Sequence, residues 1–262
     1  MTGSPEIDAT VPNSARIWNY WLGGKDNYPV DREAGDDYRA IYPEIVDVAR
    51  ASRQFLARAV RYLAGEAQLR QFLDIGTGLP TADNTHEIAQ RVAPEARVVY
   101  VDNDPVVLAH ARALLTSSRQ GGTAYIDADL RDPETILAAA ARTLDFTQPI
   151  GLMLLGIVGH IDDDDQARAI VRRLLDALPS GSYLTLCEGT NDLYQSGVEA
   201  QRLYNQSGAM PYRLRSAKQI AGFFEDLELV EPGVVSCPRW RPDPGTPPPP
   251  EMDQVAGVGR KP

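Results

Sequence analysis

A glycine-containing turn in the segment FLDIGTGLPT, residues 72–81, could accommodate a ligand. An apolar run there leads into Asp74, Gly76 and Gly78. Glycine lets a backbone turn sharply and lets a ligand come close where a Cβ would be in the way. The dinucleotide-binding fingerprint requires a third glycine, but Thr81 holds that position. The segment therefore predicts a ligand other than a dinucleotide, or else a tight turn that binds nothing.

An acidic residue closes the next apolar run, VVYVDNDP, residues 98–105. Asp102 lies there, 24 residues beyond Gly78. A carboxylate in this position can accept hydrogen bonds from both hydroxyls of a ribose. Asp102 could instead cap the following helix, but Asp104 is better placed for that role because a proline follows it. We expect Asp102 and its neighbour Asn103 to bind a nucleoside.

A third group of acidic residues follows in YIDADLRDP, residues 125–133. The carboxylate of Asp129 could accept from an adenine amino group while a backbone amide at Leu130 donates to the ring. The alternative is an ordinary polar loop. Three such segments after three apolar runs are more specific together than any one alone, and they favour a nucleoside ligand.

The elements around these segments must bring them together. Strands are predicted at residues 71–75, 96–101, 123–126, 150–158 and 182–188. Helices are predicted between them, at residues 84–92, 105–115, 133–144 and 165–178. Strands that alternate with helices of this length form right-handed βαβ units, which build a doubly wound, mostly parallel sheet. Ligands bind at the carboxyl ends of such strands, so the three segments should meet in one site.

The two ends of the chain differ from this alternating pattern. Residues 12–64 have helical spacing, and no strand is predicted before Gln71. Beyond the fifth strand, one helix and two extended segments are predicted, at residues 216–224, 227–238 and 254–260. The proline run 247–250 should be a stiff connector between the extended segments. We expect a helical cap or lid over residues 1–65 and a Rossmann-like domain over residues 66–262, in one structural domain.

His160 follows the fourth strand, in GLMLLGIVGHIDDDD at residues 151–165. Histidine is the side chain best suited to accept a proton near neutral pH, so His160 is the candidate general base. The alternative is that it only hydrogen-bonds the loop. The acidic run that follows is expected to begin a helix rather than to bind a metal, and no metal site is predicted.

Aromatic and polar residues crowd into the segment RIWNYWLGGKDNY, residues 16–28. Such a mixture of apolar walls and aimed polar groups is typical of small-molecule sites. On a helix Ile17 and Trp21 share one face, which can pack, while the other face can meet a ligand. The residues predicted to contact the substrate from this lid are Arg16, Tyr20, Asn27 and Tyr28. The alternative is that the aromatic rings merely seal the helical layer.

Charge and composition narrow the class of partner. Acidic residues number 36 and basic residues 26, which gives a formal net charge of −10 and an expected repulsion of nucleic acid phosphates. The two cysteines form no CxxC pair, and the longest apolar run is far shorter than the roughly 20 residues that cross a bilayer. We therefore expect a cytoplasmic protein that binds a small molecule, with no nucleic acid and no membrane as partner. The oligomeric state stays open.

Six segments carry a family resemblance: SARIWNYWLGGKDNYPVDR, RQFLARAVRYL, FLDIGTGLPTADNTHE, VDNDP, WRPD and the closing GVGRKP. Through them the chain resembles the S-adenosyl methyltransferase family, long described as a domain of unknown function. The resemblance implies a class I methyltransferase fold and S-adenosylmethionine as the cofactor. An acid two residues before the first glycine, here Asp74, then helps to orient the methionine end of that cofactor. The resemblance also implies a bulkier apolar residue where this chain has Gly159.

These observations favour a methyltransferase that acts on a small-molecule acceptor by direct methyl transfer. Direct displacement mainly needs alignment and exclusion of water, so a missing catalytic motif is no objection. The alternative is an S-adenosylmethionine-binding sensor without catalysis, which needs no enclosed second pocket beside the cofactor. The predicted fold is α/β, with a doubly wound, mostly parallel, seven-stranded sheet and an N-terminal helical lid. The predicted cofactor-binding residues are Asp74, Gly76, Gly78, Asp102, Asn103, Asp129 and Leu130.

Overall fold

A computed structural model describes residues 8–80, 83–114, 118–243, 245 and 249–262. Thr81 and the first half of the predicted proline connector, residues 247–248, lie outside the described residues. Across the described parts of the chain, no helix is both long and apolar enough to span a bilayer.

The strands form one mixed sheet with the order β3-β2-β1-β4-β5-β8-β6. Their bounds are β1 Gln71–Ile75, β2 Arg97–Asp102, β3 Gly122–Asp127, β4 Gly151–Leu155, β5 Tyr183–Gly189, β6 Glu228–Leu229, β7 Val235–Ser236 and β8 Gln254–Arg260. Strands β1 to β5 pair in parallel, and β8 runs antiparallel to β5 along its whole length. The predicted mostly parallel sheet is therefore confirmed, and the order reverses between β1 and β4.

The strand count differs from the predicted seven, because the extended segment predicted at 227–238 is two strands. Both β6 and β7 pair with β8, on the edge opposite β5. Between them the chain turns at Pro232 and Gly233, the latter with φ of +89°. Proline has no N–H for the ladder, and a left-handed backbone leaves the strand conformation, so the pairing breaks there. The sheet thus has eight strands, and β6 and β7 lie one after the other along the same edge of β8.

Nine helices are described, and most lie where the sequence predicts them. Their bounds are α1 Ser14–Trp21, α2 Pro29–Ile41, α3 Ile45–Gly65, α4 Thr85–Val92, α5 Pro105–Leu114, α6 Pro133–Ala140, α7 Asp164–Asp176, α8 Gln195–Tyr204 and α9 Ala217–Ala221. The sequence predicts no helix at α8. Its buried face consists of Gly197, Ala200, Gln201 and Tyr204, which is too polar and too small to produce an apolar period.

Alternate residues of the central strands face opposite helical layers. Leu73 and Ile75 lie in one apolar cluster with residues of α6 and α7, such as Ile136. Phe72 lies in the other cluster with residues of α3 and α4, such as Phe55. Because helices cover both faces, both faces of the sheet are apolar, as a doubly wound sheet requires. The predicted fourth strand, 150–158, ends early because Gly156 turns the chain with φ of +72°.

The N-terminal helices form a cap over the carboxyl ends of the strands. Helices α1 and α2 share an apolar cluster with the first turns of α3 and with α8. Trp21 packs edge-on against Tyr38 at 5.1 Å between ring centroids, and Tyr38 against Tyr204 at 6.0 Å. The cap therefore combines the N-terminal helices with α8, a helix from the second half of the chain.

A buried ion pair orients α1 against α2. Nε of Arg16 lies 2.9 Å from Oδ2 of Asp31, and both side chains are almost completely buried. The Asp31 carboxylate accepts hydrogen bonds from the backbone N–H of Asn13 and of Tyr28, at 2.9 Å and 2.8 Å. Buried charges are tolerated when they are paired and hydrogen-bonded in this way.

We expect Asp31→Ala to reduce the free energy of unfolding by about 3–5 kcal/mol, because it leaves the Arg16 guanidinium buried without its carboxylate. Urea unfolding followed by tryptophan fluorescence measures this loss. Asp37→Ala is the matched control, since Asp37 lies exposed on the same helix, and it should change the free energy by no more than about 0.5 kcal/mol. Equal effects of the two substitutions would contradict the role of the pair.

Candidate functional site

A cavity of about 250 Å³ lies at the carboxyl ends of the parallel strands, beneath the cap. The turns after β1, β2, β4 and β5 form its floor, and residues of α1, α2, α3 and α8 form its walls. This is where the doubly wound topology is expected to place a ligand, at the point where strand order reverses. The sequence-predicted segments therefore do meet at one site.

The two glycines of the turn after β1 are needed for different reasons. Both have left-handed backbones, with φ of +75° at Gly76 and +63° at Gly78. A Cβ on Gly76 would lie 2.5 Å from the side chain of Ile157, so packing excludes it. No atom of the described residues lies within 4 Å of a Cβ placed on Gly78, so the described part of the chain leaves the space beside Gly78 open. The turn thus presents bare backbone to the cavity.

Asp102 joins this turn to the end of β2. Its Oδ2 accepts from the backbone N–H of Gly78 at 3.0 Å, and its Oδ1 accepts from that of Asp104 at 3.0 Å. Burial raises the pKa of Asp102 to about 6. Each carboxylate oxygen keeps a lone pair for a further donor. Asp104 itself accepts from Val106 N–H at 2.7 Å and so caps α5, as expected.

Asp74 lies buried at the inner side of the same turn. Its Oδ2 accepts from the hydroxyl of Thr85 at 2.6 Å. Burial raises its pKa to about 6, and the nearby guanidinium of Arg53 opposes that rise. Arg53, on α3, also lines the cavity and donates to the backbone carbonyl of Asp83 at 2.9 Å. Sequence reasoning missed Arg53, although it lies within the family-like segment RQFLARAVRYL.

A second, smaller pocket adjoins the cavity at the end of β3. It shares Gly76, Asp102 and Asn103 with the main cavity and adds Asp129 and Leu130. Nδ2 of Asn103 donates to Oδ2 of Asp129 at 3.1 Å, which links the second and third strand ends. All seven predicted cofactor-binding residues, Asp74, Gly76, Gly78, Asp102, Asn103, Asp129 and Leu130, therefore line the two adjoining pockets.

His160 ends a short 3-10 turn, Val158–His160, at the mouth of the cavity. Its Nδ1 lies 2.9 Å from the carbonyl oxygen of Pro211. A carbonyl only accepts, so Nδ1 carries the hydrogen and the neutral ring has its lone pair on Nε2. Burial lowers the pKa of His160, which favours this neutral form. The ring packs edge-on against Tyr212 at 5.2 Å.

Glu188, at the end of β5, holds the turn that carries His160. Its carboxylate accepts from the backbone N–H groups of Ile157, Val158 and Gly159 at 3.1, 2.8 and 3.1 Å, and from the hydroxyl of Tyr212. Burial raises its pKa. Sequence reasoning missed Glu188, although it ends an apolar strand just as Asp102 does.

Tyr212 also explains the glycine that departs from the family pattern. A Cβ on Gly159 would lie 2.3 Å from the Tyr212 ring. The expected bulkier residue cannot fit while Tyr212 donates to Glu188. The departure from the family pattern at Gly159 therefore has a packing reason, because a ring from a distant segment fills the space.

The predicted substrate-contacting residues of the lid do not reach the cavity. The guanidinium of Arg16 pairs with Asp31 and lies over the ring of Tyr28, at 5.0 Å from its centroid. Tyr20 donates to Asp36 at 2.8 Å. Asn27 donates to Oδ1 of Asn19 and to the carbonyl of Gly24, both at 3.0 Å. None of the four, Arg16, Tyr20, Asn27 and Tyr28, is among the described residues that line the cavity.

The opposite face of α1 meets the cavity instead. The residues of this segment that line it are Asn13, Ser14, Ala15, Trp18, Asn19, Trp21 and Leu22. The ion pair with buried Asp31 turns Arg16 away, and this turns Trp18 and Trp21 inward. The segment therefore lines the cavity with a different set of residues from the four predicted to contact the substrate. Helical periodicity alone does not say which of two mixed faces looks inward.

A further part of the cavity lies over β5 and β8, and sequence reasoning did not anticipate it. Its lining residues are Tyr38, Tyr42, Gly197, Gln201, Tyr204, Asp253 and Gln254. They come from α2, the loop after it, α8 and the start of β8. No motif marked them, because the unpredicted helix α8 supplies three of the positions.

Comparison with known proteins decides the family. The model of the S-adenosyl methyltransferase family matches residues 1–262. The chain belongs to this family. The predicted cofactor, S-adenosylmethionine, and the predicted enzyme class, an S-adenosylmethionine-dependent methyltransferase, are therefore confirmed at the level of the family. Among curated proteins, none matches the chain.

Solved structures agree with this assignment. A DUF574 family protein from Streptomyces avermitilis MA-4680 is 48% identical, with 98% of this chain and 100% of that chain covered and a TM-score of 0.93. A candidate methyltransferase from Thermobifida fusca YX is 40% identical, with 98% and 97% covered and a TM-score of 0.90. The plantazolicin methyltransferase BpumL, in complex with S-adenosylhomocysteine (SAH), is 13% identical, with 95% of each chain covered and a TM-score of 0.54. This last likeness concerns the fold alone.

The site has the features that the family cofactor needs. The open space beside Gly78 leaves room for a ligand against the backbone. The remaining lone pairs of Asp102 suit ribose hydroxyls, and Asp74 and Arg53 offer opposite charges for an ammonium and a carboxylate. These residues of the S-adenosyl methyltransferase fold thus fit the cofactor chemically.

We expect Asp102→Ala to raise the Kd for SAH about 10- to 150-fold, because it removes charge-assisted hydrogen bonds worth about 1.5–3 kcal/mol. Isothermal titration calorimetry measures this change. Asp127→Ala is the matched control: Asp127 is the register partner of Asp102 on β3 and lies exposed. Unchanged SAH affinity in a folded Asp102→Ala protein would remove Asp102 from the cofactor site.

Acidification should weaken SAH binding and stabilise the protein without ligand. Burial raises the pKa of Asp74 and of Asp102 from 3.8 to about 6, so both gain protons between about pH 7 and pH 5. A protonated Asp102 is no longer a charged acceptor, so affinity falls. Because the folded-state pKa of each carboxyl group lies above its unfolded value, protonation of the group favours the folded state. This stabilisation is complete below the unfolded value of 3.8, and it is lost as the pH rises through about 6.

Calorimetric titrations with SAH at about pH 5.5 and about pH 7.5 measure the change in affinity. Melting temperatures of the protein without ligand at the same two pH values measure the change in stability. Asp102→Asn should bind SAH more weakly and show a flatter pH dependence of both quantities. An SAH affinity that rises on acidification would contradict the assignment of these carboxylates.

Proposed function

We propose that the protein transfers a methyl group from S-adenosylmethionine to a small molecule held beneath the cap. One observation carries this proposal: the cavity does not stop at the cofactor-binding residues. It continues over β5 and β8, where cap and sheet enclose it with aromatic and polar side chains. A sensor that reads the cofactor alone has no use for this extension.

The residues of the cofactor part have distinct tasks. Asp102 binds the ribose hydroxyls, while Asp129 and Leu130 bind the adenine. Asp74 and Arg53 bind the charged groups of the methionine part. When bound, the cofactor supplies a methyl group activated by a sulfonium. The protein then has to align the acceptor and exclude water.

The cap supplies alignment and exclusion of water. Trp18 and Trp21 line the cavity from α1 and pack edge-on at 5.8 Å between centroids. Nδ2 of Asn13, just before α1, donates to Oδ2 of Asp104 at 2.5 Å. This bond ties the cap to the strand end that carries Asp102. The cap is thus held directly above the cofactor residues.

His160 is the proposed proton acceptor. Its Nδ1 hydrogen is donated to Pro211, which leaves Nε2 to accept a proton from the nucleophile. Its lowered pKa keeps the ring neutral at physiological pH. Glu188 and Tyr212 act through the turn and position the imidazole, so they are positioning residues. A small acceptor also agrees with the acidic net charge of −10, which disfavours nucleic acid, and we expect the reaction to take place in the cytoplasm.

Isotope labelling tests the proposed function. The protein is incubated with S-adenosylmethionine labelled in its methyl group and with a deproteinised small-molecule extract from bacteria, and Asp102→Ala serves as the control. We expect mass spectrometry to find the label in a low-mass compound with the wild type alone. Label that stays in the cofactor, although SAH binds, would favour the sensor; label in macromolecules would exclude a small acceptor.

His160→Asn should slow methyl transfer to the acceptor so identified by about 10²–10⁴-fold. The asparagine amide can still donate to Pro211, so the turn keeps its shape and SAH affinity should stay unchanged. In the wild type, kcat/KM should rise with pH through an inflection below the usual histidine value of 6.5, because burial lowers the pKa of His160. Full activity of the variant would show that no base is needed at this position.

A further inference from the structure

The part of the cavity over β5 and β8 contains buried polar atoms without partners. We call it the β8 end and define it by Tyr42, Gly197, Asp253 and Gln254. Tyr42 is 2% exposed and Gln254 is 3% exposed. Among the described residues, Oε1 of Gln254 has no hydrogen-bond partner. The hydroxyl of Tyr42 lies near the backbone N–H of Asp253 but makes no hydrogen bond of good geometry to it, so its own hydrogen has no acceptor. Such orphaned groups are destabilising unless a ligand or water satisfies them.

A buried carboxylate lies beside these two groups. Asp253 is 7% exposed, and its carboxylate accepts from the backbone N–H of Leu193 and of Tyr194, at 3.0 Å and 3.1 Å. Two oxygens offer about four lone pairs, so the carboxylate can accept from a further donor. The β8 end therefore presents Asp253 and Gln254 as acceptors, and the Tyr42 hydroxyl as a group that both donates and accepts.

Gly197 keeps the space between these groups open. A Cβ at this position of α8 would lie 3.1 Å from Oδ2 of Asp253 and 3.8 Å from the ring of Tyr42. Glycine is unfavourable inside a helix by about 1 kcal/mol relative to alanine. A methyl group here would crowd the Asp253 carboxylate beside the Tyr42 ring, and the backbone of α8 does not itself require a glycine.

The charges of the side chains that line the cavity also favour a cationic acceptor. Its described lining includes the four carboxylates of Asp74, Asp102, Asp104 and Asp253, but one guanidinium, that of Arg53. The cofactor carries one net positive charge and leaves the site acidic. An acceptor with a carboxylate or phosphate would be repelled, whereas a cation would be attracted.

The walls next to the β8 end are aromatic. Tyr38 packs edge-on against Tyr42 at 6.5 Å and against Tyr204 at 6.0 Å between ring centroids, and all three rings line the cavity. Such rings pack against an apolar or ring-shaped body, and their faces attract a cation. Acceptor atoms, acidic charge and ring faces together describe a site for an amine.

We infer that the methyl acceptor carries a protonated amino group on an apolar, ring-sized body, and that the β8 end anchors this ammonium through Asp253, Gln254 and Tyr42. The ammonium has no lone pair, so a different atom of the acceptor attacks the methyl group and gives its proton to His160. The inference rests on the proposed function and names the substrate class of the same site. A protonated amine has the donors that the two buried acceptors need. A molecule of the same shape without the amino group leaves Oε1 of Gln254 unpartnered and the negative charge of Asp253 without a counter-charge.

Calorimetry on the SAH-loaded protein tests the inference with matched probes. Tyramine is compared with the neutral para-ethylphenol and the anionic para-hydroxyphenylpropionate. Tryptamine is compared with ethylindole and indolepropionate. At least one amine should bind about tenfold or more tightly than its neutral isostere, as expected for a charge-assisted hydrogen bond, and the anions should bind most weakly.

Three substitutions locate the amine subsite. Asp253→Asn should reduce the preference for the amine over its neutral isostere to less than about threefold, whereas Glu251→Gln, which removes an exposed charge two residues away, should keep it. Tyr42→Phe should weaken amine binding, and Tyr194→Phe, on the neighbouring ring outside the cavity lining, should not. Gly197→Ala should weaken it at least about fivefold by filling the subsite.

SAH affinity and melting temperature are measured first for every variant. A wild type that does not bind SAH would overturn the proposed function itself. A wild type that binds SAH, but binds no amine more tightly than its isosteres, would overturn the amine inference alone. If Asp253→Asn fails to fold, Gly197→Ala tests the amine subsite instead, because alanine favours the helical conformation. Unchanged amine affinity in the Gly197→Ala variant contradicts the proposed subsite.

Discussion

The carboxylate of Asp102 joins the parts of the molecule that must act together. It accepts from Gly78 in the turn after β1 and from Asp104 at the start of α5. Asp104 in turn accepts from Asn13, just before the first helix of the cap. One chain of hydrogen bonds therefore links the glycine turn, the second strand and the cap. The geometry of the cofactor site and the position of the cap consequently depend on the same partly buried group.

Burying such carboxylates opposes folding, and the fold tolerates them because hydrogen-bond donors of the backbone or of side chains reach each one. Burial raises the pKa of Asp74, Asp102 and Glu188, which means that ionising each group disfavours the folded state. Glu188 accepts three backbone N–H groups and a hydroxyl, and Asp102 accepts two N–H groups. The apolar clusters on both faces of the sheet supply the stability that offsets this burden. Active sites commonly combine strained or charged groups with such a rigid scaffold.

Local sequence patterns were enough to predict the parallel part of the sheet and the clustering of the candidate cofactor residues at its carboxyl edge. Apolar runs that end in a glycine or an aspartate mark β1 and β2 within a residue, and parallel topology then brings Gly76, Asp102 and Asp129 together. Other features depend on contacts between residues far apart in the sequence, which local patterns cannot predict. The inward face of α1 depends on the partner of Arg16, and the need for Gly159 depends on a ring from another segment. The buried face of helix α8 has no strong apolar periodicity, so the sequence did not predict the helix or the cavity-lining residues that it supplies.

The charges of the cavity and of its ligands also act on each other. A cationic cofactor and a protonated amine would repel each other in a neutral pocket, since unit charges interact by about 4 kcal/mol at 4 Å for an effective dielectric constant near 20. Carboxylates at both ends of the cavity counter that repulsion. Burial raises the pKa of Asp253 as well as of Asp74 and Asp102, and a bound cation lowers such a raised pKa. Binding of one positive ligand therefore favours ionisation of the carboxylates, and the ionised carboxylates attract the other positive ligand. The two ends of the cavity are coupled in this way without any movement of the chain.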